Sequence, residues 1–337
     1  MGAIQKIREL HAQWETDDPF LFCAFHNDAY PKGNDQLGPD SSLTGRNLGQ
    51  DFVQKDGWAM YHGRRVPGFP AHPHVGFETV TIAERGFVDH SDSLGASGRF
   101  GQGDVQWMTA GNGVQHSEMF PMIYKDKENP LLLFQIWLNL PAKSKQVTPY
   151  FGMLWHENIP VIQVQDNENK TTSIKIIAGS YENTHALDPN PDSWAANPDN
   201  ELNIWILTLA PHASFTFPTT APEINRSLYF FEGEQLNAEG FEIPPMQRII
   251  ADASQKLTLK NGSKPAKILL LQGRPIGERV IQQGPFVANS KEEINAAFSR
   301  FRDSEFGGWP WPTHEHTHDP KATRFAIFPD GKEEKPT

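Results

Sequence analysis

The sequence contains a single cysteine, Cys23, among 337 residues. One cysteine excludes an internal disulfide and predicts a protein of a reducing compartment. Because the neighbours of Cys23 are apolar, we expect a buried structural thiol. No apolar stretch reaches the roughly 18 residues that span a bilayer, and residues 1–10 have charges but no apolar signal core. The prediction is a cytoplasmic protein that does not interact with membranes.

The sequence also lacks a basic cluster. It has 30 Lys and Arg against 41 Asp and Glu, which gives a formal net charge of −11. Phosphate backbones are bound by basic faces, so direct nucleic-acid binding is not expected. No Walker A or G-x-G-x-x-G motif is present, so the sequence does not indicate a nucleotide-binding site of these kinds. Ser117 lies outside any G-x-S-x-G elbow, so a hydrolase triad is not favoured.

Glycine and proline are frequent, with 27 of each, and they separate short apolar runs. Such spacing is typical of β-barrels and sandwiches. A helix is predicted after Ser290, because Ser290 and Glu293 form a capping box ahead of an apolar stripe. A second, amphipathic helix is predicted over residues 1–17. Strands are predicted at Pro19–Phe25, Phe77–Ile82, Phe87–His90, Asp104–Met108, Val114–Met119, Leu131–Leu140, Ile174–Ala178, Asn203–Ala210, Ala213–Phe217, Ser227–Phe231 and Lys267–Leu271.

The chain is expected to be all-β, with two antiparallel β-barrels and a short C-terminal helix. We expect an N-terminal metal-binding barrel over residues 1–150 and a second barrel without metal over 151–284. Residues 285–337 form a C-terminal segment. Its last part, after about residue 312, is polar and is expected to be loosely held.

Two short-spaced pairs of potential metal ligands are the most informative feature. His72 and His74 form one pair, and His116 and Glu118 form the other. In a strand, residues two apart point to the same face. Two neighbouring strands can therefore direct three imidazoles and one carboxylate to one point, a set that favours iron, manganese, nickel or zinc.

Other polar residues are weaker candidates. Glu78 lies four residues after His74 and is a rival ligand, a hydrogen-bond partner of a ligand, or a substrate contact. The group Asp89, His90 and Asp92 is expected at a solvated strand end. The alternating His314, His316 and His318 of the tail form a less favoured second site.

Two stretches around these residues resemble the pirin family of the cupin superfamily. The resemblance extends over nearly the whole chain through shorter matches near both ends. The stretches are residues 69–80 (FPAHPHVGFETV) and 103–118 (GDVQWMTAGNGVQHSE), with DPFL at 18–21, GPFV at 284–287 and FG at 306–307.

The resemblance implies two cupin barrels with the C-terminal segment folding back toward the first. It also implies one non-haem Fe(II) held by His72, His74, His116 and Glu118, although Ni, Co, Mn or Zn would suit the same residues. Pirins usually have arginine where this chain has Val75, which weakens the transfer of a regulatory role. The chain is also longer than many relatives in the 30–57 loop, the 188–200 insertion and the tail.

The leading hypothesis is a dioxygenase resembling quercetin 2,3-dioxygenase, with a flat flavonol-like substrate and O2. Glu118 is the predicted catalytic base. The predicted surroundings of the substrate are Val75, Phe77, Trp107, Met108 and Glu78. One alternative is a redox-sensing regulatory protein whose iron controls binding to a transcription factor or a metabolic enzyme complex. A second alternative is a purely structural metal, usually four-coordinate zinc.

Overall fold

The computed structural model describes residues 2–337, and β-strands dominate it. The N-terminal strands are β1 (Ile4–Glu9), β2 (Gln13–Trp14), β3 (Phe20–Asp28), β4 (Gly68–His74), β5 (Phe77–Arg85), β6 (Phe87–Asp92), β7 (Ser97–Gly101), β8 (Asp104–Thr109), β9 (Val114–Met119), β10 (Leu131–Asn139), β11 (Tyr150–Leu154) and β12 (Val161–Gln165).

The later strands are β13 (Thr171–Ala178), β14 (Ser180–Tyr181), β15 (Thr184–His185), β16 (Asn203–Leu209), β17 (Ser214–Phe217), β18 (Asn225–Glu232), β19 (Leu236–Ala238), β20 (Phe241–Ile243), β21 (Gln247–Asp252), β22 (Leu257–Asn261), β23 (Ala266–Gly273), β24 (Ile281–Gln283), β25 (Phe286–Ala288), β26 (Phe325–Ile327) and β27 (Glu333–Glu334). The helix α1 covers Lys291–Ser304, and 3₁₀ turns occur at Ala142–Ser144, Trp194–Ala196, Pro198–Asn200 and Glu305–Gly307.

The all-β prediction and the predicted helix are confirmed. Ser290 caps α1, and its side chain accepts a hydrogen bond from the Glu293 backbone N–H in a complete capping box. The helix predicted over residues 1–17 is wrong. Residues Ile4–Glu9 pair with β21 as a strand, and Ile4 and Ile7 pack against an apolar core. Sheet pairing outweighs the local helical pattern there.

The chain divides into two compact units. One, called here the histidine unit, comprises Phe25–Ile136, Leu140–Glu157 and Glu278–Thr337. The other, the second unit, comprises the described residues up to Ala24, Trp137–Asn139 and Asn158–Gly277. The predicted division at residues 150 and 284 places residues 1–24 differently, and it remains a prediction.

The histidine unit contains an antiparallel sheet in the order β27-β26-β7-β6-β9-β4. A second sheet contains β11, β8 and β5, followed by the parts of β10 and β3 that belong to this unit. The core of the unit is rich in aromatic side chains, including Trp58, Phe100, Phe120 and Phe151. The first sheet carries all four predicted metal ligands, on β4 and β9.

The second unit has a seven-stranded sheet in the order β1-β21-β18-β23-β16-β13-β12 and a four-stranded sheet in the order β17-β22-β19-β20. Its core is formed by buried aliphatic and aromatic residues such as Ile174, Leu228 and Phe215. Cys23 is fully buried, as expected, and burial raises the pKa of its thiol far above the usual value.

The C-terminal tail is firmly held, contrary to the expectation of a loose end. Strand β26 pairs with β7. The Arg99 guanidinium forms a two-point ion pair with Asp89, at 2.7 and 2.8 Å, and neither side chain is exposed. Arg99 also donates to the carbonyls of Asp319 and Ala322 at 3.0 and 2.9 Å. One buried cation therefore fastens the tail to β6 and β7.

Among residues 2–337, no helix has the length and the apolar character that a bilayer crossing requires.

Replacing Arg99 by alanine should destabilise the protein strongly. The change leaves the Asp89 carboxylate buried without its cation, which typically costs about 3–5 kcal/mol of unfolding free energy. Urea unfolding of the two proteins measures this loss. Lys332→Ala is the control, because the Lys332–Glu334 pair of the same tail is largely exposed and should contribute less than about 1 kcal/mol. Equal, small losses in both variants would contradict the assigned role of Arg99.

Candidate metal centre

Strands β4 and β9 bring the predicted ligands together. They pair antiparallel, with His72 directly opposite His116, and the register shifts between Phe69 and His72. Two glycines make the ends of β4 possible. At Gly68 (φ +128°) a Cβ would lie 2.4 Å from the Glu118 carbonyl oxygen, and at Gly76 (φ +83°) it would lie 2.0 Å from the Val287 carbonyl oxygen. Only glycine therefore fits at these two bends.

Three imidazoles converge. The candidate ligand atoms of His72, His74 and His116 all lie within 4.8 Å of one another. The Nε2 atoms of His72 and His116 are 3.1 Å apart. The ring centroid of His74 lies 4.7 Å from that of His72 and 4.8 Å from that of His116. This spacing would let one small cation contact all three rings.

Burial keeps the three imidazoles neutral. Desolvation lowers the pKa of His72 to about 4 and the pKa values of His74 and His116 well below the usual range. The neighbouring rings lower the pKa of each histidine further, because protonated imidazoles would repel one another. Neutral imidazole is the form that binds metals.

A backbone carbonyl orients the ring of His72. Nδ1 of His72 lies 2.8 Å from the Pro70 carbonyl oxygen, which can only accept a hydrogen bond. Nδ1 therefore carries the proton, and the Nε2 lone pair is directed at His116. Metal-binding histidines commonly donate their second ring nitrogen in this way, so the residues fit a divalent transition metal.

Glu118 lies at the edge of the histidine group without belonging to it. Its Oε2 is 3.7 Å from His116 Nε2. Thr81 donates its hydroxyl to Oε1 at 3.1 Å, and Gln135 donates its amide to Oε2. Burial raises the pKa of the Glu118 carboxyl, and the two hydrogen bonds oppose that shift. A small movement of this side chain would bring it to a metal at the histidines.

The expectation that Asp89, His90 and Asp92 lie at a solvated strand end is wrong. All three side chains are fully buried. His90 pairs with Glu118 and Asp92 with His116 across β6 and β9, and the rings of His90 and His116 are 5.6 Å apart. His90 Nε2 lies 3.3 Å from Asp92 Oδ2. Their alternate spacing was the sequence signal that could have placed them beside the ligands.

The predicted surroundings of the substrate are only partly brought to the site. The Phe77 ring lies 5.0 Å from the ring of His74. Glu78 accepts hydrogen bonds from Trp107 and Thr109. Because β5 and β8 pair in regular register, these three side chains lie on the sheet face opposite Thr81, whose hydroxyl contacts Glu118. Glu78 and Trp107 are therefore directed away from the histidines.

Val75 and Met108 are also buried in apolar groups. Val75 packs with Phe286 and Ile294 of the C-terminal segment. Met108 packs with Ala110 and Val114. Direct contact with a substrate remains a prediction for these two side chains and for Phe77.

A group of rings that extends from His72, named here the aromatic flank, was not predicted from the sequence. Phe69 is its centre, with its ring centroid 6.3 Å from that of His72. No short motif marks these residues, because they come from four separate segments. The aromatic flank consists of His26, Phe52, Tyr61, His62, Phe69 and Phe120.

The tail histidines do not form a metal-binding group with one another or with other residues among 2–337, where His72, His74 and His116 are the one group with suitable spacing. His318 instead contacts the His90 carbonyl at 2.9 Å through its ring. The carbonyl of His314 accepts a hydrogen bond from the N–H of Ala71, the residue directly before His72 on β4. These residues thus hold the tail against the strands of the metal centre.

Two family models match the chain. The model described as Pirin matches residues 4–138, and the model described as Pirin C-terminal cupin domain matches residues 204–307. A pirin-like protein of Solanum lycopersicum is 33% identical over 271 residues, which cover 78% of this chain and 86% of that protein. A Pseudomonas aeruginosa protein named "Putative quercetin 2,3-dioxygenase" is 35% identical over 241 residues, which cover 71% of this chain and 80% of that protein.

Solved structures show the same fold. A quercetin 2,3-dioxygenase from Acinetobacter baumannii aligns with a TM-score of 0.69 and 26% identity, covering 91% of this chain and 99% of the other. Together with the two family models, this agreement confirms the predicted architecture of two cupin-type β-barrels.

Replacing His116 by alanine should abolish tight metal binding. Loss of a ligand should lower the affinity by more than the roughly 10–100-fold that loss of a ligand's hydrogen-bond partner costs. Metal content after desalting and competition with a chromophoric chelator measure the affinity. His156→Ala is the control, since His156 is exposed and outside the group. Retention of about one tightly bound ion by the His116 variant would contradict the site.

The buried His26 should make the metal-free protein less stable in acid. Burial lowers its pKa from 6.5 to about 4, so the unfolded chain binds a proton between these pH values and the folded chain does not. The stability associated with neutral His26 is therefore present above pH 6.5 and lost as the pH falls toward 4. From pH 7 to pH 4, His26→Phe should gain about 3 kcal/mol relative to the parent protein.

Urea unfolding of both chelator-treated proteins across this pH range tests the prediction. A constant difference in unfolding free energy between them would show that His26 does not titrate as its burial requires.

Proposed function

The chain belongs to the pirin family, and from that premise we propose that it is a metal-dependent dioxygenase of the quercetin 2,3-dioxygenase type. Its substrates would be a flavonol and O2, and the reaction would open the flavonol ring. The observation that carries the proposal is the convergence of three neutral imidazoles beside a buried carboxylate. The resemblance to a solved quercetin 2,3-dioxygenase supports the choice of substrate.

The proposed metal is a single Fe(II), held by His72, His74, His116 and Glu118. Three imidazoles and one carboxylate suit iron, and the same set accepts Ni, Co, Mn or Zn. With these four protein ligands, a six-coordinate ion would still be able to bind small molecules. When bound, the ion would supply a Lewis acid that lowers the pKa of a substrate hydroxyl and the redox capacity for chemistry with O2.

Glu118 is the proposed general base, which takes the proton of the flavonol 3-hydroxyl. In the metal-free protein burial raises the pKa of this carboxyl. A carboxylate that lies within reach of the substrate hydroxyl can accept its proton. Thr81 and Gln135 hold the two carboxylate oxygens and stabilise the ionised form. The same two contacts would keep the side chain aligned once it carries the proton.

The regulatory alternative has less support. In that alternative a partner protein reads the redox state of the iron at the surface near the metal motif, where pirins usually have arginine and this chain has Val75. Val75 is buried, and its backbone carbonyl accepts a hydrogen bond from Val287 N–H at 2.9 Å. This position therefore offers neither charge nor accessible surface to a protein partner.

Anaerobically prepared, iron-loaded protein should consume quercetin and O2 together when air is admitted. Glu118→Gln, compared at equal metal content, should lower kcat by roughly 10²–10⁴-fold, since a positioned base typically contributes that much. An oxygen electrode and flavonol absorbance follow the two substrates. Glu128→Gln is the control, because Glu128 is exposed in the same unit.

Absence of turnover with iron, nickel, cobalt and manganese would remove the proposed reaction. An unchanged kcat in the Glu118 variant would remove its role as the base.

A further inference from the structure

The aromatic flank extends from the metal centre to the surface. The Phe69 ring centroid lies 6.3 Å from that of His72 and 6.4 Å from that of Phe52. His62 is 4.9 Å from Phe52 and 5.7 Å from Phe69. These separations lie in the 4.5–7 Å range over which aromatic rings interact. The rings therefore make a continuous path outward from His72.

The outer end of this path is open. Phe52 is 52% exposed, and His62 is also exposed, whereas Phe69 and His72 are half-buried. Full burial of a phenylalanine side chain stabilises a fold by about 1.5–3 kcal/mol, and the half-exposed Phe52 does not gain much of this free energy. Exposed apolar side chains grouped at the edge of a site are typical of binding surfaces.

Hydrogen bonds of the adjacent residue Asp51 hold the loop that carries Phe52 in place. Asp51 and Tyr61 exchange two backbone hydrogen bonds, at 2.8 and 2.9 Å. The Asp51 carboxylate accepts hydrogen bonds from Arg46 at 3.1 Å and from Met60 N–H at 2.9 Å. The buried Arg46 guanidinium lies 3.3 Å from the ring centroid of Trp58. Phe52 is thus pre-positioned, which reduces the entropy cost of binding.

A second set of contacts fixes the inner part of the loop. The Asp28 carboxylate accepts hydrogen bonds from Ala59 N–H at 3.0 Å and from the Tyr61 hydroxyl at 2.8 Å. The Tyr61 ring in turn stacks on Phe69 with an interplanar angle of 22°. Tyr61, held by Asp28, therefore fixes the orientation of the Phe69 ring, which lies beside His72.

We propose that the aromatic flank is a recognition subsite for the second ring system of a flat, two-part aromatic substrate. The first ring system carries the oxygen that reaches the metal centre, and the second lies against Phe69 and Phe52. A single-ring ligand at the metal would extend only to Phe69. The subsite would therefore select flavonol-like molecules over single-ring hydroxypyranones. This inference rests on the proposed function and names the residues that determine its specificity.

Binding is measured without O2, on metal-loaded protein, by calorimetry with quercetin and with maltol, a single-ring hydroxypyranone. Phe52→Ala should raise the Kd of quercetin about three- to tenfold and leave the Kd of maltol unchanged. Phe52→Trp should keep the affinity of the parent protein, because a flat ring remains. Phe241→Ala is the matched control, since Phe241 is also 52% exposed and is not part of the flank.

An equal loss of affinity for both ligands, or no loss for quercetin, would overturn the subsite. Failure of the parent protein to bind quercetin would overturn it as well. Quercetin binding that depends on Phe52, without turnover in air, would support the subsite and remove the proposed reaction. The two conclusions can therefore be separated.

Discussion

The antiparallel pairing of β4 with β9 is the constraint on which the metal centre depends. It sets His72 opposite His116, and strand alternation then directs His74 and Glu118 to the same side. A slip of one residue would turn the ligands of one strand to the opposite face. The glycines at both ends of β4 matter for the same reason, because a side chain at either would meet the backbone of a neighbouring segment.

The surroundings of this strand pair determine its chemistry. Burial keeps the three imidazoles neutral, and the Pro70 carbonyl orients the ring of His72. Thr81 and Gln135 hold Glu118 slightly apart from the three rings. The arrangement thus suits a cation at the three imidazoles and keeps a carboxylate 3.7 Å from His116. Both properties are needed if one carboxylate is to contact a metal and also accept a proton.

Distant parts of the chain support the same strands. The tail is fastened by the buried Arg99–Asp89 pair, and it contributes the His314 carbonyl to the backbone of β4. The long loop of residues 30–57 supplies Phe52 to the aromatic flank. The tail and the 30–57 loop, both polar and irregular in sequence, therefore lie next to β4 and the aromatic flank. Their order comes from a few buried charges, Arg46 and Arg99 among them, which satisfy many carbonyls at once.

The sequence by itself determined the all-β class, most central strands, the capped helix α1 and the pairs at 72/74 and 116/118, because these features depend on local periodicity and spacing. Only the tertiary structure decided that residues 4–9 form a strand, that His90 and Asp92 are buried, and that Glu78 and Trp107 point away from the histidines. It also decided that the tail is fixed, that Phe69 lies beside His72 and that Phe52 lies beside Phe69. These outcomes depend on which strands become neighbours and which face each one buries, and contacts between distant segments settle both.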